Sequence, residues 1–212
     1  MKKFELTAEF VTNVFGKKLF RIKALVAFGN VEKGELGGFI EKEDNLSHDG
    51  DAWVSGNAQV CGNAQVFDNA QVFGDARVFG NAWVCGNAQV SGNAQVSGNA
   101  QVFDNAQVFG NAQVFGNAWV CGNAQVFGNA DYAVVAGFGR YFRTTTFFRC
   151  KDKILRVQCG CFYGDLAQFR EIVKKTHGDS KYAKEYLAIA DLMELHFSDK
   201  CGGEQMNDGK IY

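Results

Sequence analysis

The amino-acid sequence predicts a mainly β protein whose centre is a parallel β-helix of about six coils. Three observations carry this prediction. Fourteen hexads of the form [GD]-[ND]-A-[QWRD]-[VY]-[FSCA] follow one another from Gly50 to Ala133 without an insertion. A period of six fits neither the turn of an α-helix nor the heptad of a coiled coil. The chain also contains no proline, the residue that interrupts strand ladders.

Each hexad divides into a short strand and a corner. Its Ala and Val lie two positions apart and therefore point to the same side of a strand, which we expect to be the interior. The Gly-Asn pair tolerates positive φ and supplies the corner. Three consecutive hexads close one triangular coil, so Val and Ala are expected to fill a prism.

The hexad VSGNAQ at 54–59 and its thirteen relatives resemble the hexapeptide-repeat superfamily, in which an aliphatic residue is followed four places later by a small one. The resemblance implies a left-handed β-helix and, in many members, trimers formed through the prism sides. Some members are acyltransferases that use a histidine, and others are carbonic anhydrases with a histidine-bound metal. Because His48, His177 and His196 all lie outside the hexads, we expect no catalytic residue, metal or cofactor. The alternative is an acyltransferase-like enzyme with a site between subunits.

The β-helix is predicted over residues 32–143 from the phase of the repeat. Counting in sixes from the hexads places Leu36 and Phe138 in Val positions, and Ile40 and Leu46 in Ala positions. The open ends of a β-helix expose unpaired strand edges, so we expect a cap on each side.

Both caps have sequence support. Alternating apolar residues around a turn at 16–18 predict a β-hairpin over residues 1–31. Beyond the helix, a second hairpin that turns near Asp152 is followed by two helices. The first helix is expected to begin at Asp165, with Gln168 completing a capping box, and to end at Gly178. Residues 144–212 are therefore predicted to form a ββαα domain.

Aromatic residues follow many of the Val positions and should point outward. When the chain is folded into coils of three hexads, a row of Phe67, Cys85, Phe103 and Cys121 runs beside a row that contains Trp83 and Trp119. The pattern repeats every two coils because residues 50–85 and 86–121 match at 31 of 36 positions. Exposed apolar patches usually mark a partner, although rings can also pack over small neighbours without one. The predicted oligomer or partner interface consists of Phe67, Phe73, Phe79, Trp83, Phe103, Phe109, Phe115 and Trp119, and Trp53 and Phe127 are expected to be exposed as well.

A basic segment with interleaved aromatic residues lies where the helix meets the C-terminal domain. Six Lys and Arg side chains occur within residues 140–156, with Asp152 as the one acidic residue. Arginine beside aromatic rings can hold a phosphate or a nucleotide, and the alternative is a solvated hairpin face. The predicted anionic-ligand site consists of Arg140, Tyr141, Arg143, Arg149 and Arg156.

Composition excludes several function classes. The net charge of −1 predicts no general attraction to DNA or to an anionic membrane, and no apolar run is long enough to span one. Seven cysteines without an apolar signal segment argue against a disulfide framework and favour the bacterial cytoplasm. Cys159-Gly160-Cys161 is more typical of core packing than of a metal site.

The segment KGELGGFIEKEDNLSHDGDAWV, the GNAQV array and the tail FFRCKDKILRVQCGCFYGDLAQF together resemble phage and prophage hexapeptide-repeat proteins, described as polymer-forming and cytoskeletal-like. We therefore expect a non-enzymatic, phage-related binding or scaffold protein that self-associates as a trimer or dimer. Its expected further partner is a host protein or a nucleotide-like anion, in a counter-defence role. A polymer-forming structural protein is a further alternative.

Overall fold

The computed structural model describes residues 2–198. Within this range an N-terminal hairpin, a parallel β-solenoid and a C-terminal sheet with two helices follow one another along the chain. The predicted mainly β fold with a parallel β-helix is thus confirmed. The solenoid has about five turns rather than six, since its sheets contain four or five parallel strands. Cys201 and the rest of the 199–212 segment, which the sequence assigns to the C-terminal domain, lie outside the described residues.

Each hexad of the solenoid contributes one strand of two residues. Strands that are three hexads apart pair with each other, as Gln89 does with Gln107, so that the strands form three parallel sheets. The Val and Ala side chains are fully buried between the sheets, as predicted. The strands are β4 (Trp53–Val54), β5 (Gln59–Val60), β6 (Gln65–Val66), β7 (Gln71–Val72), β8 (Arg77–Val78), β9 (Trp83–Val84), β10 (Gln89–Val90), β11 (Gln95–Val96), β12 (Gln101–Val102), β13 (Gln107–Val108), β14 (Gln113–Val114), β15 (Trp119–Val120) and β16 (Gln125–Val126).

We name the three sheets of the solenoid by their strands. Sheet I contains β5, β8, β11 and β14; sheet II contains β4, β7, β10, β13 and β16; sheet III contains β6, β9, β12 and β15. At the corners, asparagines from successive coils form hydrogen-bonded ladders. In one of them Asn63 donates to Asn81, Asn81 to Asn99 and Asn99 to Asn117, over 3.0–3.1 Å.

The N-terminal hairpin continues sheet I. Its strands β1 (Phe4–Thr12) and β2 (Lys18–Ala24) are antiparallel, as predicted, and β2 pairs with β3 (Leu36–Ile40), which runs parallel to β5. The hairpin therefore covers what would otherwise be an open sheet edge.

The phase of the first coil differs from the sequence prediction. Ile40 pairs with Val60 and Leu46 with Val66. The spacing in both pairs is two residues longer than the three hexads that separate paired residues in later coils. Two additional residues between Leu46 and Val54 shift the phase, so Ile40 and Leu46 occupy Val positions rather than Ala positions. Both remain buried because a shift of two keeps a side chain on the same face. Leu36, assigned to a Val position, is exposed at the start of β3.

Two buried polar side chains bind the free carbonyl groups at the N-terminal end. Lys3 Nζ donates to the carbonyl oxygens of Gly50 and Ala52 at 3.1 and 2.9 Å. Asn45 Nδ2 donates to the carbonyl oxygens of Gly62 and Ala64 at 3.2 and 2.8 Å. These carbonyls lie on the first coil of sheets II and III, where no earlier strand can pair with them, and a buried unpaired carbonyl is costly.

The C-terminal sheet has four antiparallel strands in chain order: β17 (Tyr132–Phe138), β18 (Arg143–Arg149), β19 (Leu155–Cys159) and β20 (Phe162–Asp165). The sequence assigns residues up to 143 to the solenoid, but Tyr132–Phe138 pairs antiparallel with β18. The reason is that Val134 and Val135 stand where the next Gly-Asn corner would fall, so the strand continues instead of turning. Phe138, assigned to a Val position, is exposed.

Helices α1 (Leu166–His177) and α2 (Lys181–Ser198) follow the sheet. As predicted, Asp165 accepts a hydrogen bond from the Gln168 backbone in a capping box, and α1 ends at Gly178. The sheet lies between the helices and the solenoid: Phe147 packs in a core with both helices, whereas Phe148 belongs to the solenoid core. The C-terminal end of the solenoid is thereby covered.

Candidate functional site

The outer side of sheet III carries a repeated arrangement of rings, which we call the aromatic face and define by Phe67, Trp83, Phe103 and Trp119. The Phe67 ring meets the Trp83 ring edge-on with centroids 6.1 Å apart. The Phe103 and Trp119 rings repeat this geometry two coils further on, at 6.2 Å. Trp83 and Trp119 are 45% and 38% exposed, whereas the two Phe rings are half-buried. The neighbouring rows predicted from the sequence therefore exist, and each Phe supports a Trp.

The aromatic face alternates between ridges and valleys. Trp83 and Trp119 are two coils apart, or about 9.6 Å at the usual strand spacing of about 4.8 Å. Gln101 pairs with Trp119 and lies in the coil between the two tryptophans. In the neighbouring row, burial raises the pKa of the Cys85 thiol to about 11 and that of Cys121 to about 12. Both thiols are therefore neutral near pH 7 and act as small apolar groups.

The other four predicted rings lie on different sides of the solenoid. Phe73 and Phe109 are on sheet II and Phe79 and Phe115 are on sheet I, so the predicted interface divides among three faces. Phe79 is half-buried because Phe15, in the turn of the N-terminal hairpin, packs on it with ring centroids 6.1 Å apart.

The expectation that Trp53 is exposed is wrong. Its side chain is 2% exposed and contacts the Phe28 ring edge-on at 5.4 Å. The segment between β2 and β3 folds over the first coil and covers it. The hexad pattern alone does not report this neighbour, because Phe28 lies outside the repeat.

The solenoid surface is almost free of charge. Within residues 52–130 the charged side chains are Asp68, Asp75, Arg77 and Asp104, four in 79 positions. Surfaces of soluble domains usually contain about 25–35% charged residues. On the aromatic face, Asp68 and Asp104 lie at the corner, and no charged residue lies between the corners.

The structure divides the predicted anionic-ligand residues into two groups. Arg140 and Arg143 flank the Tyr141 ring, with guanidinium carbons 5.5 and 5.1 Å from its centroid. All three residues line a cavity of about 230 Å³ between the β17–β18 turn and the two helices.

Arg149 and Arg156 are engaged elsewhere. The Arg149 guanidinium lies over the Phe197 ring at 5.4 Å and donates to the Phe197 carbonyl. Arg156 forms an ion pair with Asp152 at 2.7 Å. These two arginines therefore contribute to packing of the C-terminal domain rather than to one shared site with Arg143.

The histidines lie at opposite ends of the molecule. His48 stacks on Phe4 with ring centroids 4.3 Å apart, and its Nδ1 accepts the Lys3 backbone N–H at 3.2 Å. His177 in α1 stacks on Tyr186 at 5.9 Å, and His196 lies in α2. Among residues 2–198 no group of three or more His, Cys, Asp or Glu is placed to hold a metal ion. Neither α1 nor α2, the α-helices in the same range, combines the length and the hydrophobicity that a membrane span requires.

Comparison with known families addresses the repeat. Residues 70–86, 88–104 and 106–122 match the family described as YdcK Beta solenoid repeat. The starts of the matched segments are three hexads apart, so each segment corresponds to one coil of the structure. The chain is a β-solenoid repeat protein. The match leaves both caps outside it, and no curated protein matches the chain.

Two features of this protein were not predicted from sequence. Lys3 and Asn45 close the first coil, but neither belongs to a periodic pattern that would single it out. Gly160 lies against the Arg143 guanidinium, and the sequence indicates only that a glycine separates two cysteines.

Proposed function

We propose that this protein is a non-catalytic scaffold that associates with a second copy of itself through the aromatic face. The observation that carries the proposal is the pair of exposed tryptophan ridges, repeated two coils apart on a surface without charge between its corners. Clustered exposed rings on a soluble protein usually mark an interaction surface.

The ridges fit a second copy of the same face. Because Trp83 and Trp119 are about 9.6 Å apart, a copy displaced by one coil, about 4.8 Å, places its own ridge over the Gln101 valley. A two-fold axis that lies in the plane between the two faces, at right angles to the solenoid axis, makes this contact reciprocal with the two copies antiparallel. Because no charged residue lies between the corners of the face, burying that area does not require the desolvation of an ionised side chain.

The face is large enough for a specific interface. The four strands of sheet III and the Leu46 bridge to Val66 make five rungs. At about 4.8 Å per rung the face is about 24 Å long, and a side of six residues gives a width of about 20 Å. Two copies of this footprint cover about 1,000 Å² before the relief of the rings is counted, and a specific interface needs to bury at least about 1,000 Å² in total. Association through one face therefore requires nearly its whole length.

The covered ends favour a closed assembly over an end-to-end polymer. The N-terminal end is closed by the hairpin, Lys3 and Asn45, and the C-terminal end by the four-stranded sheet. In the described part of the chain, residues 2–198, neither end leaves a whole coil edge available for strand addition. The phage-related and counter-defence roles implied by the resemblance remain predictions, and a host protein is the other candidate occupant of the aromatic face.

Mass in solution tests the proposal. The first variant is the double substitution Trp83→Ser and Trp119→Ser, and the control is Phe73→Ser with Phe115→Ser, which removes exposed rings from the other two faces. We expect light scattering over a range of concentrations to give a dimer for the wild type and the control, and a monomer for the first variant. Buried interface tryptophans commonly contribute about 2 kcal/mol or more each, so the dimer constant should weaken more than about 100-fold.

Three results would contradict this reasoning. If the wild type is monomeric at every concentration, the proposed self-association is wrong. A control that dissociates as readily as the Trp variant places the contact on another face. A trimer replaces the two-fold arrangement with a three-fold one.

A further inference from the structure

We propose that the cavity beside Tyr141 binds a small ring-bearing anion, such as an aryl phosphate or an aromatic carboxylate, with Arg140 and Arg143 holding its acidic group. This site lies in the C-terminal domain, and the residues that line it do not belong to the aromatic face.

The two guanidinium groups form the charged mouth of the cavity. Both guanidinium groups lie over the Tyr141 ring, with their central carbons 5.5 and 5.1 Å from its centroid, and an arginine in such a contact keeps its N–H groups available to an anion. Within residues 2–198 neither forms an ion pair with a carboxylate. Glu185, beside the cavity residue Tyr186, instead accepts the Gly139 N–H at 2.9 Å and pairs with Lys181 at 3.5 Å. An incoming anion therefore meets two planar donors suited to bidentate binding.

A glycine makes room for one of these arginines. Gly160 has a φ of +59°, and a Cβ built on it would lie 2.3 Å from Arg143 Nη1. The guanidinium thus occupies the space that any other side chain at position 160 would take.

The cavity floor is apolar and comes mainly from one face of α1. Phe169, Ile172, Val173 and Thr176 recur at helical spacing and line it. The volume of about 230 Å³ is below the usual 300–1,000 Å³ of drug-sized sites. At about 30 Å³ per water-sized unit, it holds about eight non-hydrogen atoms, enough for one ring whose charged head group reaches the mouth.

A phenol adds a donor to the wall of the cavity. Burial raises the pKa of Tyr186 to about 12, so its hydroxyl stays protonated near pH 7. The hydroxyl lies 3.5 Å from the Phe138 carbonyl oxygen, a long contact that a ligand oxygen can replace. Its ring is held between His177, which stacks on it at 5.9 Å, and Phe169, which meets it edge-on at 5.8 Å. The wall is therefore already ordered before a ligand arrives, which lowers the entropic cost of binding.

Calorimetric titration of the full chain tests the site with three probes: phenyl phosphate, benzoate and inorganic phosphate. We expect at least one ring-bearing anion to bind with a dissociation constant of about 1 mM or tighter, and inorganic phosphate to bind at least about tenfold more weakly. The stronger of phenyl phosphate and benzoate identifies the head group. The variant Arg143→Gln should weaken binding by about tenfold or more, whereas Arg77→Gln, which removes the same charge from the solenoid, should not change it.

A second variant separates the ring site from the charged mouth. Ile172→Trp enlarges a partly exposed side chain that lines the cavity. The indole should fill the space proposed for the ring of the ligand without overpacking the buried core of the domain. We expect it to abolish the preference for ring-bearing probes while inorganic phosphate binds as before. The proposal is overturned if no ring-bearing anion binds, if Arg77→Gln weakens binding as much as Arg143→Gln, or if Ile172→Trp leaves the preference intact.

Discussion

The asparagine ladders at the solenoid corners predict a measurable stability difference between two nearly identical substitutions. In the ladder through Asn81, the side-chain amide accepts from Asn63 at 3.1 Å and donates to Asn99 at 3.0 Å. The substitution Asn81→Asp keeps the acceptor and removes the donor. It also places a carboxylate oxygen against the Asn99 carbonyl oxygen.

The expected cost follows from the one bond lost. A net hydrogen bond contributes about 0.5–1.5 kcal/mol, and the exposed corner favours the middle of that range, about 1 kcal/mol. For a chain of this size, such a loss lowers the midpoint of thermal unfolding by about 2–4 °C. Urea unfolding should show a lower midpoint with an unchanged slope, because the surface exposed on unfolding does not change.

The chain supplies a matched control at another corner. Asn111 accepts from Asn93 at 3.3 Å, and its own amide donates to no other residue within 2–198. Asn111→Asp therefore adds the same charge to an exposed corner without removing a ladder bond, and it should cost less than half as much. Equal destabilisation by the two variants would refute the ladder as the source of the effect.

Four further predictions concern other parts of the molecule. Asp75 accepts from Asn57 but cannot donate to Asn93, so Asp75→Asn should extend that ladder and stabilise the fold by about 0.5–1 kcal/mol in urea unfolding. Gly86→Ala should cost more stability than Gly116→Ala, since both glycines have positive φ but only at Gly86 would a Cβ meet backbone, 2.9 Å from Asp104 N. Maleimide labelling at about pH 8 should modify exposed Cys161 and spare Cys85 and Cys121 until the chain is unfolded, because burial holds the pKa of these two thiols at about 11 and 12. Burial also lowers the pKa of Lys3 from 10.5 to about 8, so as pH rises the folded state loses this proton before the unfolded state does. The free energy of unfolding of the wild type, relative to that of Lys3→Met, should therefore increase by about 3 kcal/mol between pH 8 and pH 10.5. A decrease over that range in paired denaturation curves would contradict the lowered pKa of Lys3.

The periodic part of the fold was predictable because its signal repeats. Thirteen successive hexads place Val and Ala inward with a corner before each strand, so the sequence reports the same geometry many times over. The left-handed sense of the coil remains what the resemblance implies. Where the repeat stops, prediction became less accurate: two additional residues before Val54 shifted the first coil, and Val134-Val135 ended the last one early.

The candidate sites were predictable only in part. The rows that make the aromatic face follow from a coil of three hexads, whereas the burial of Trp53 depends on Phe28, which lies outside the repeat. The basic segment at 140–156 was evident from sequence. The separation of its arginines into a cavity pair and a packing pair depends on contacts between distant elements, such as that of Arg149 with Phe197, which no local pattern encodes.

The agreement between residues 50–85 and 86–121 at 31 of 36 positions also bears on how the length of this molecule can change. Removing or inserting one coil brings two tryptophan coils, or two glutamine coils, into direct contact on the aromatic face. Removing or inserting two coils preserves the alternation and leaves both caps with their present neighbours. Duplication or deletion of two coils can therefore lengthen or shorten the solenoid in increments of about 9.6 Å. Chains that differ by such increments would keep the same lateral surface and differ only in reach.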